Sequence, residues 1–266
     1  MIRDIAIGQY YPSKGILHRL DPRVKVLMLI GFIVLIFCTF NFYALGVMTA
    51  LVISTVLMSK VPVRLYLKSM KAIIIVILIT SLLNLFYGSG NVVVDWWIFK
   101  ITDEGIRNAI FVSVRIISLV IISSALTFTT SPTDLTDALE RLMKPLGVFK
   151  VKTHEIAMMM TIALRFVPTL LEETDKIMSA QKARGADMES GNLIKRIKAL
   201  VPVLIPLFVS AFRRAYDLAM AMECRCYQGG KGRTRMKQLH TSKRDYIALL
   251  VGFLVLAGVI LCNIFL

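Results

Sequence analysis

The sequence predicts an all-α integral membrane protein of about five transmembrane helices joined to a helical cytoplasmic domain, and three observations carry that prediction. Hydrophobic residues fill 56% of the 266 positions and mean hydropathy is +0.70, above the roughly 45–50% apolar usage of soluble domains. Apolar windows close to the ~20 residues that cross a bilayer lie at residues 24–40, 42–58, 70–87, 106–129 and 246–266. The segments between them alternate in charge.

Arg3, Lys14, Arg19, Arg23 and Lys25 precede or open the first window against Asp4 and Asp21, and Lys60, Arg64, Lys68 and Lys71 separate the second from the third. Such basic segments stay in the cytoplasm. The turn at Asn41 is uncharged, and residues 88–105 hold Lys100 against Asp95, Asp103 and Glu104, so both are expected outside. The N-terminus is then inside and the C-terminus outside. Three regions follow: a four-span membrane domain over residues 1–130, a cytoplasmic helical domain over 131–245, and a final span over 246–266. No charged segment leads directly into a short apolar stretch at the N-terminus, so no cleavable signal peptide is expected.

The 32 Lys and Arg against 17 Asp and Glu belong to these loops. They are not interleaved with aromatic platforms for nucleic acid. Cys38 and Cys262 sit in apolar runs and Cys224 and Cys226 flank an arginine, a pattern of reduced thiols without the third ligand a metal centre needs. In the outer loop, Val92, Val93, Val94, Trp96 and Phe99 predict a short extended hairpin. Trp96 and Trp97 there read as interfacial anchors. Arg115 falls in the middle of the fourth window, where a charge must face protein. It either serves function directly or meets backbone carbonyls inside the bundle.

In the cytoplasmic domain, Ser131-Pro132-Thr133-Asp134 reads as a helix start, with Ser as N-cap, Pro at the first helical position and an acid in the first turn. Lys144-Pro145 stops that helix. A second helix is expected over residues 153–184 and a third over 193–227, with Pro168 in one and Pro202 and Pro206 in the other as hinge candidates. Their apolar halves, 156–171 and 199–212, are expected to pack under the bilayer rather than cross it. Each helix ends in an arginine between small residues before a glycine: Ala183-Arg184-Gly185, and Cys224-Arg225-Cys226 ahead of Gly229. Two readings compete for these arginines: capping of the helix's negative end, or bidentate docking on a partner's carboxylate.

In this ordered set of motifs the chain resembles the T component of energy-coupling factor (ECF) transporters. Leu17-His18-Arg19-Leu20-Asp21-Pro22-Arg23-Val24-Lys25 looks like that family's N-terminal signature. Thr129 to Leu135, Ala163-Leu164-Arg165-Phe166-Val167-Pro168 and Arg213-Arg214-Ala215 are also similar to it, and Ala183-Arg184-Gly185 and Cys224-Arg225-Cys226 match its two x-Arg-x motifs, with Cys224 where relatives often have Ala. The resemblance implies a non-catalytic membrane scaffold that couples ATP hydrolysis by two cytoplasmic ATP-binding-cassette subunits to a small-molecule-binding membrane subunit, the S component, for uptake of a vitamin or other micronutrient. It implies no cofactor in this chain, with ATP and Mg bound by the partner ATPases, and a multi-pass location in the cell membrane without nucleic acid. Gly229-Gly230-Lys231-Gly232 lacks the spacing and hydroxyl residue of a phosphate loop.

Two other classes compete. An intramembrane enzyme needs convergent carboxylates for metal or acid–base work, but the adjacent Glu172 and Glu173 point apart on a helix. A conventional importer permease would couple through one cytoplasmic loop rather than through two arginine-tipped helix ends.

Overall fold

The computed structural model describes residues 10–13, 15–39, 41–71, 73–86, 92–96, 99–149, 152–186, 192–229 and 239–265. Trp97 and residues 230–232, singled out in the sequence, lie outside these, as do the side chain of Trp96 and those of its neighbours in the hairpin. Among the described residues the α-helices are α1 (Pro22–Phe37), α2 (Phe42–Ser59), α3 (Val63–Lys71), α4 (Ile74–Phe86), α5 (Asp103–Thr129), α6 (Pro132–Met143), α7 (Thr153–Ala183), α8 (Leu193–Cys224) and α9 (Lys243–Phe265). The expected hairpin is present between α4 and α5: β1 (Val92–Trp96) pairs antiparallel with β2 (Phe99–Thr102), Trp96 opposite Phe99.

Contacts group the chain into two compact units, Gly8–Ala138 with Lys237–Leu266, and a second built on Leu139–Met236. In the first, α1, α2 and α9 meet through Phe32, Ile36, Ala44, Met48 and Val259, with α5 packed alongside. A second cluster joins α3 to the end of α5, where the Tyr66 ring meets Phe128 edge-on at 5.3 Å. The Tyr66 hydroxyl donates to Ser59 Oγ at 3.0 Å. Outward faces are apolar: Leu57 is 72% exposed and Ile75 67%, surface that lipid tails solvate at no cost.

Among the described residues four helices, α2, α5, α7 and α9, are long and apolar enough to cross a membrane, and α3 with α4 makes a fifth candidate bent by 63°. α4 fills the window expected at 70–87, and α3 lies in the basic segment expected before it. In the window expected at 24–40 the helix stops before the apolar run ends. α1 has 16 residues, about 24 Å at 1.5 Å per residue, against a hydrocarbon core of ~30 Å. It stops at Phe37 because Cys38 N–H closes on the Val34 and Leu35 carbonyls and the Thr39 hydroxyl donates to Ile36 O at 2.7 Å. α7 meets the length and composition needed for a crossing but is the least apolar of the four.

Because α1 ends early, its turn into α2 lies beside the middle of α5. There Arg115 Nη2 donates to Thr39 O at 2.8 Å, and its guanidinium lies 4.9 Å from the Phe111 ring centre and 5.8 Å from that of Phe37. Of the two readings of Arg115, contact with a backbone carbonyl is what the geometry displays. At this depth a carbonyl released by a helix end has no water to bond.

The opposite ends of these helices converge on a buried charge network. Asp21 caps α1: its Oδ1 accepts Arg23 N–H at 2.9 Å, and its Oδ2 takes Arg23 Nη2 at 2.6 Å. The Asp21 N–H donates at 2.8 Å to Oδ1 of Asp245. Asp245, 2% exposed, in turn caps α9, its Oδ2 accepting the N–H and hydroxyl of Ser242 at 2.7 and 3.0 Å. Lys25 Nζ donates to Thr129 O at 2.9 Å and Thr130 Oγ1 at 3.3 Å, which fixes the end of α5. The segment before α1 lies on the same end, with Tyr11 N–H on Phe128 O at 3.0 Å and Gly15 so close to the Ser59 carbonyl that a Cβ would collide with it. The LHRLDPRVK signature is therefore a structural knot.

Removing the shared carboxylate should loosen this end of the bundle. Asp245→Ala leaves the buried Asp21 N–H without an acceptor and α9 without its cap, at a cost of about 2–3 kcal/mol. The expected result is a lower thermal unfolding midpoint in detergent, with Asp245→Asn, which keeps one accepting oxygen, falling between that variant and the parent.

Candidate functional site

The smaller unit holds the two long helices whose ends were singled out in the sequence. α6 leads into it and starts as expected: Asp134 N–H donates to Ser131 Oγ at 3.1 Å, and that hydroxyl donates to Asp134 Oδ2 at 2.8 Å. Past Met143 the chain tightens into a 3-10 turn, Lys144–Phe149, around Pro145. The imidazole of His154 then ties the first turn of α7 to Glu140, Nδ1 to Oε1 at 3.1 Å.

α7 and α8 pair antiparallel, since Glu173 meets Ser210 and Arg214 while Gln181, further along α7, meets Pro202, earlier on α8. The Ser210 hydroxyl donates to Glu173 Oε1, and Arg214 Nη2 donates to Oε2 at 3.0 Å. The hydroxyl bond first, and the guanidinium with it, hold the Glu173 carboxyl below the usual glutamate range. Pro168 lies within α7, and Pro202 and Pro206 lie within α8. Pro206 has no N–H to bond the carbonyl four residues back. That carbonyl belongs to Pro202, and Gln181 Nε2 donates to it at 3.4 Å.

The two helix ends have the same backbone closure. At the end of α7, Arg184 is the last residue before the reversal, Gly185 N–H bonds Lys182 O at 3.0 Å, and Ala186 N–H bonds Gln181 O at 3.0 Å. At the end of α8, Arg225 holds the same place, Cys226 N–H bonds Glu223 O at 2.8 Å, and Tyr227 N–H bonds Met222 O at 3.0 Å. Each is the paired six-to-one and five-to-two closure that satisfies terminal carbonyls with backbone donors. The left-handed residue is Gly185 in one, φ 86°, and Cys226 in the other, φ 53°. The expectation that Gly229 stops α8 is thus corrected: the reversal comes three residues earlier, on a non-glycine residue, and Gly229 has a positive φ of its own further along.

Backbone amides do the capping, so neither guanidinium is needed for it. Arg184 and Arg225 are exposed, and among the described residues neither side chain has a hydrogen-bond or ion-pair partner in the chain. Ala183, Cys224 and Cys226 beside them are exposed as well. Antiparallel pairing sends the two tips to opposite ends of the pair. Within and just before the apolar half noted at residues 199–212, the sequence reading did not single out Ile197, Val201, Leu204, Phe208 and Phe212 of α8 as a stripe. Their spacing of three and four residues makes one apolar stripe, and all are exposed, Phe212 at 72%. Among the described residues no cluster of His, Cys, Asp and Glu could hold a metal ion.

The family model described as cobalt transport protein, CbiQ, matches residues 13–236. The chain is 50% identical over 266 residues to the energy-coupling factor transporter transmembrane protein EcfT of Clostridium kluyveri, covering 99% of this chain and 98% of the relative. It is 49% identical to the EcfT of Ruminiclostridium cellulolyticum and 42% identical to that of Bacillus subtilis, each over 261 residues and 98% of both chains.

Two measurements check this geometry. Cys226→Gly removes a left-handed non-glycine and should stabilise the end of α8 by about 0.5–1 kcal/mol, whereas Gly185→Ala should destabilise the end of α7 by about 1 kcal/mol; amide exchange at the two ends reads both. The Glu173 contacts should also respond to acid. Its folded pKa is depressed, so its contribution is fully present above the unfolded value of ~4.3 and lost as pH falls through the lower folded value. Unfolding titrations of the parent should steepen in that acid window, and those of Glu173→Gln should not.

Proposed function

This chain belongs to the family of ECF transmembrane T components, matched by the CbiQ cobalt transport protein model, and from that premise we propose how its two arginine tips serve a transporter. Arg184 and Arg225 each place a guanidinium against carboxylates in a groove of a cytoplasmic ATP-binding-cassette ATPase, one subunit per tip. The observation that carries this reading is the shared closure of α7 and α8. It satisfies the helix ends with backbone alone and leaves both side chains exposed and unpaired. The small neighbours Ala183, Gly185, Cys224 and Cys226 permit close approach, and a planar fork meets a carboxylate bidentately.

In this reading the basic segments and the helices of residues 131–245 are cytoplasmic, and the chain itself performs no chemistry. ATP and Mg are bound by the partner subunits, whose closing and opening is transmitted through α7 and α8 to an S component that captures a vitamin or other micronutrient. The exposed apolar stripe of α8 supports contact with such a membrane partner. Pro168, Pro202 and Pro206 are the points at which these helices bend.

Truncating one partner of a desolvated charge pair costs ~2–5 kcal/mol, much of it from the charge left behind. Arg184→Ala or Arg225→Ala should therefore weaken assembly with the ATPases or uncouple hydrolysis from uptake, and the double variant should abolish transport in reconstituted vesicles. Arg→Lys should rescue partly, since it keeps charge and loses the fork. Near-normal uptake by the double alanine variant at normal expression would return both arginines to a purely local role.

A further inference from the structure

We propose that α3 is an interfacial helix that gathers anionic phospholipid headgroups, of the phosphatidylglycerol type, around Lys60, Arg64, Lys68 and Lys71. This requires only that the first unit spans a bilayer and is independent of how α7 and α8 engage ATPases.

The helices on either side place α3 at the membrane surface. Leu57 and Met58 at the end of α2 are exposed, as are Ile74 and Ile75 at the start of α4, and such apolar faces belong in hydrocarbon. α3 joins them with 9 residues, about 14 Å at 1.5 Å per residue, too short to cross the ~30 Å core. Its rotation about its own axis is fixed by Tyr66, 3% exposed, whose ring meets Phe128 of α5 and whose hydroxyl donates to Ser59 of α2. With about 100° between successive residues, Val63, Leu67 and Met70 share one flank and Arg64, Lys68 and Lys71 the next. Val63 is 59% exposed and Leu67 58%. All three cations are exposed, as is Lys60 in the turn that leads into the helix. An apolar flank beside a basic one lets short side chains enter the first methylenes while long basic ones reach the headgroups.

The charges select the lipid. Among the described residues none of the four cations has a hydrogen bond or ion pair in the chain. No Asp or Glu occurs between Asp21 and Asp95. The helices that α3 rests on, α2, α4 and α5, carry acids only at Asp103 and Glu104, at the opposite end of α5 from Phe128. A zwitterionic headgroup would bring its ammonium to this patch with no carboxylate on these helices to receive it, whereas a headgroup whose only charge is phosphate is attracted by every cation. Orienting the chain in the membrane needs the charges but not their sorting onto one flank.

Quenching of a tryptophan at this site by bromine-labelled lipids tests the proposal. Leu67→Trp, in the full chain with Trp96→Phe and Trp97→Phe, reports the lipid that touches α3 in mixed bilayers of phosphatidylglycerol and phosphatidylcholine. The relative binding constant should favour phosphatidylglycerol by about fivefold or more, the worth of at least one basic residue at an anionic surface, and should fall toward one in ~1 M salt. Lys60→Gln, Arg64→Gln, Lys68→Gln and Lys71→Gln combined should remove the preference and leave the thermal unfolding midpoint unchanged, and inorganic phosphate should compete no better than chloride at equal ionic strength. Equal constants for the two lipids would leave the cations to an acidic protein surface and overturn the proposal. A preference that survives high salt or the four substitutions would do the same, as would displacement specific to inorganic phosphate, the mark of a free-anion site.

Discussion

The membrane unit depends on how it satisfies polar groups at its helix ends, and one carboxylate is central to that. Asp245 receives the N–H of Asp21 and both donors of Ser242, so α1 and α9, far apart in sequence, begin on the same pair of oxygens. Lys25, one turn into α1, satisfies the last carbonyl of α5. α4 buries none of its residues. Apolar packing between helices gains little where lipid is equally apolar. Hydrogen bonds at the ends therefore do much of the work of setting which helices stand side by side.

The same constraint explains the C-terminal end of α1. A helix too short for the bilayer leaves its terminal carbonyls at a depth without water. Arg115 is the donor that comes from α5 to meet the Thr39 carbonyl, while Asn41 Nδ2 reaches Cys262 O of α9 at 3.4 Å. A charge in the middle of a span thus has a structural task that follows from the length of a different helix. The α7 and α8 pair is built otherwise, with a carboxylate held by a hydroxyl and a guanidinium, and with helix ends closed by backbone.

Much of this was legible in the sequence. Hydropathy windows located α2, α5 and α9, the Ser-Pro-x-Asp start located α6, and the two x-Arg-x tripeptides located the ends of α7 and α8, because each depends on residues within one or two turns. What was not legible depends on distant partners or on backbone angles. Asp21, Arg23 and Lys25 read as orienting charges, although two of them are buried and bonded to residues more than a hundred positions away. Cys226 read as a small flank, since nothing in a cysteine announces a positive φ. Span three read as starting at Met70, while the chain bends between Lys71 and Ile74 and the apolar helix starts only there. The early stop of α1 turns on three local hydrogen bonds that no hydropathy window contains.

Gln181 gives the α7 and α8 pair a property that neither helix has alone. Its carbonyl accepts the N–H groups of Arg184 and Ala186 at the reversal, and its side chain supplies the donor that Pro206 withholds from Pro202. The weakest point of one helix is thereby spliced to the final turn of the other. If α8 flexes at that proline, the amide of Gln181, three residues before Arg184, must follow or let go. One hydrogen bond thus ties the arginine-tipped end of α7 to the proline-interrupted stretch of α8.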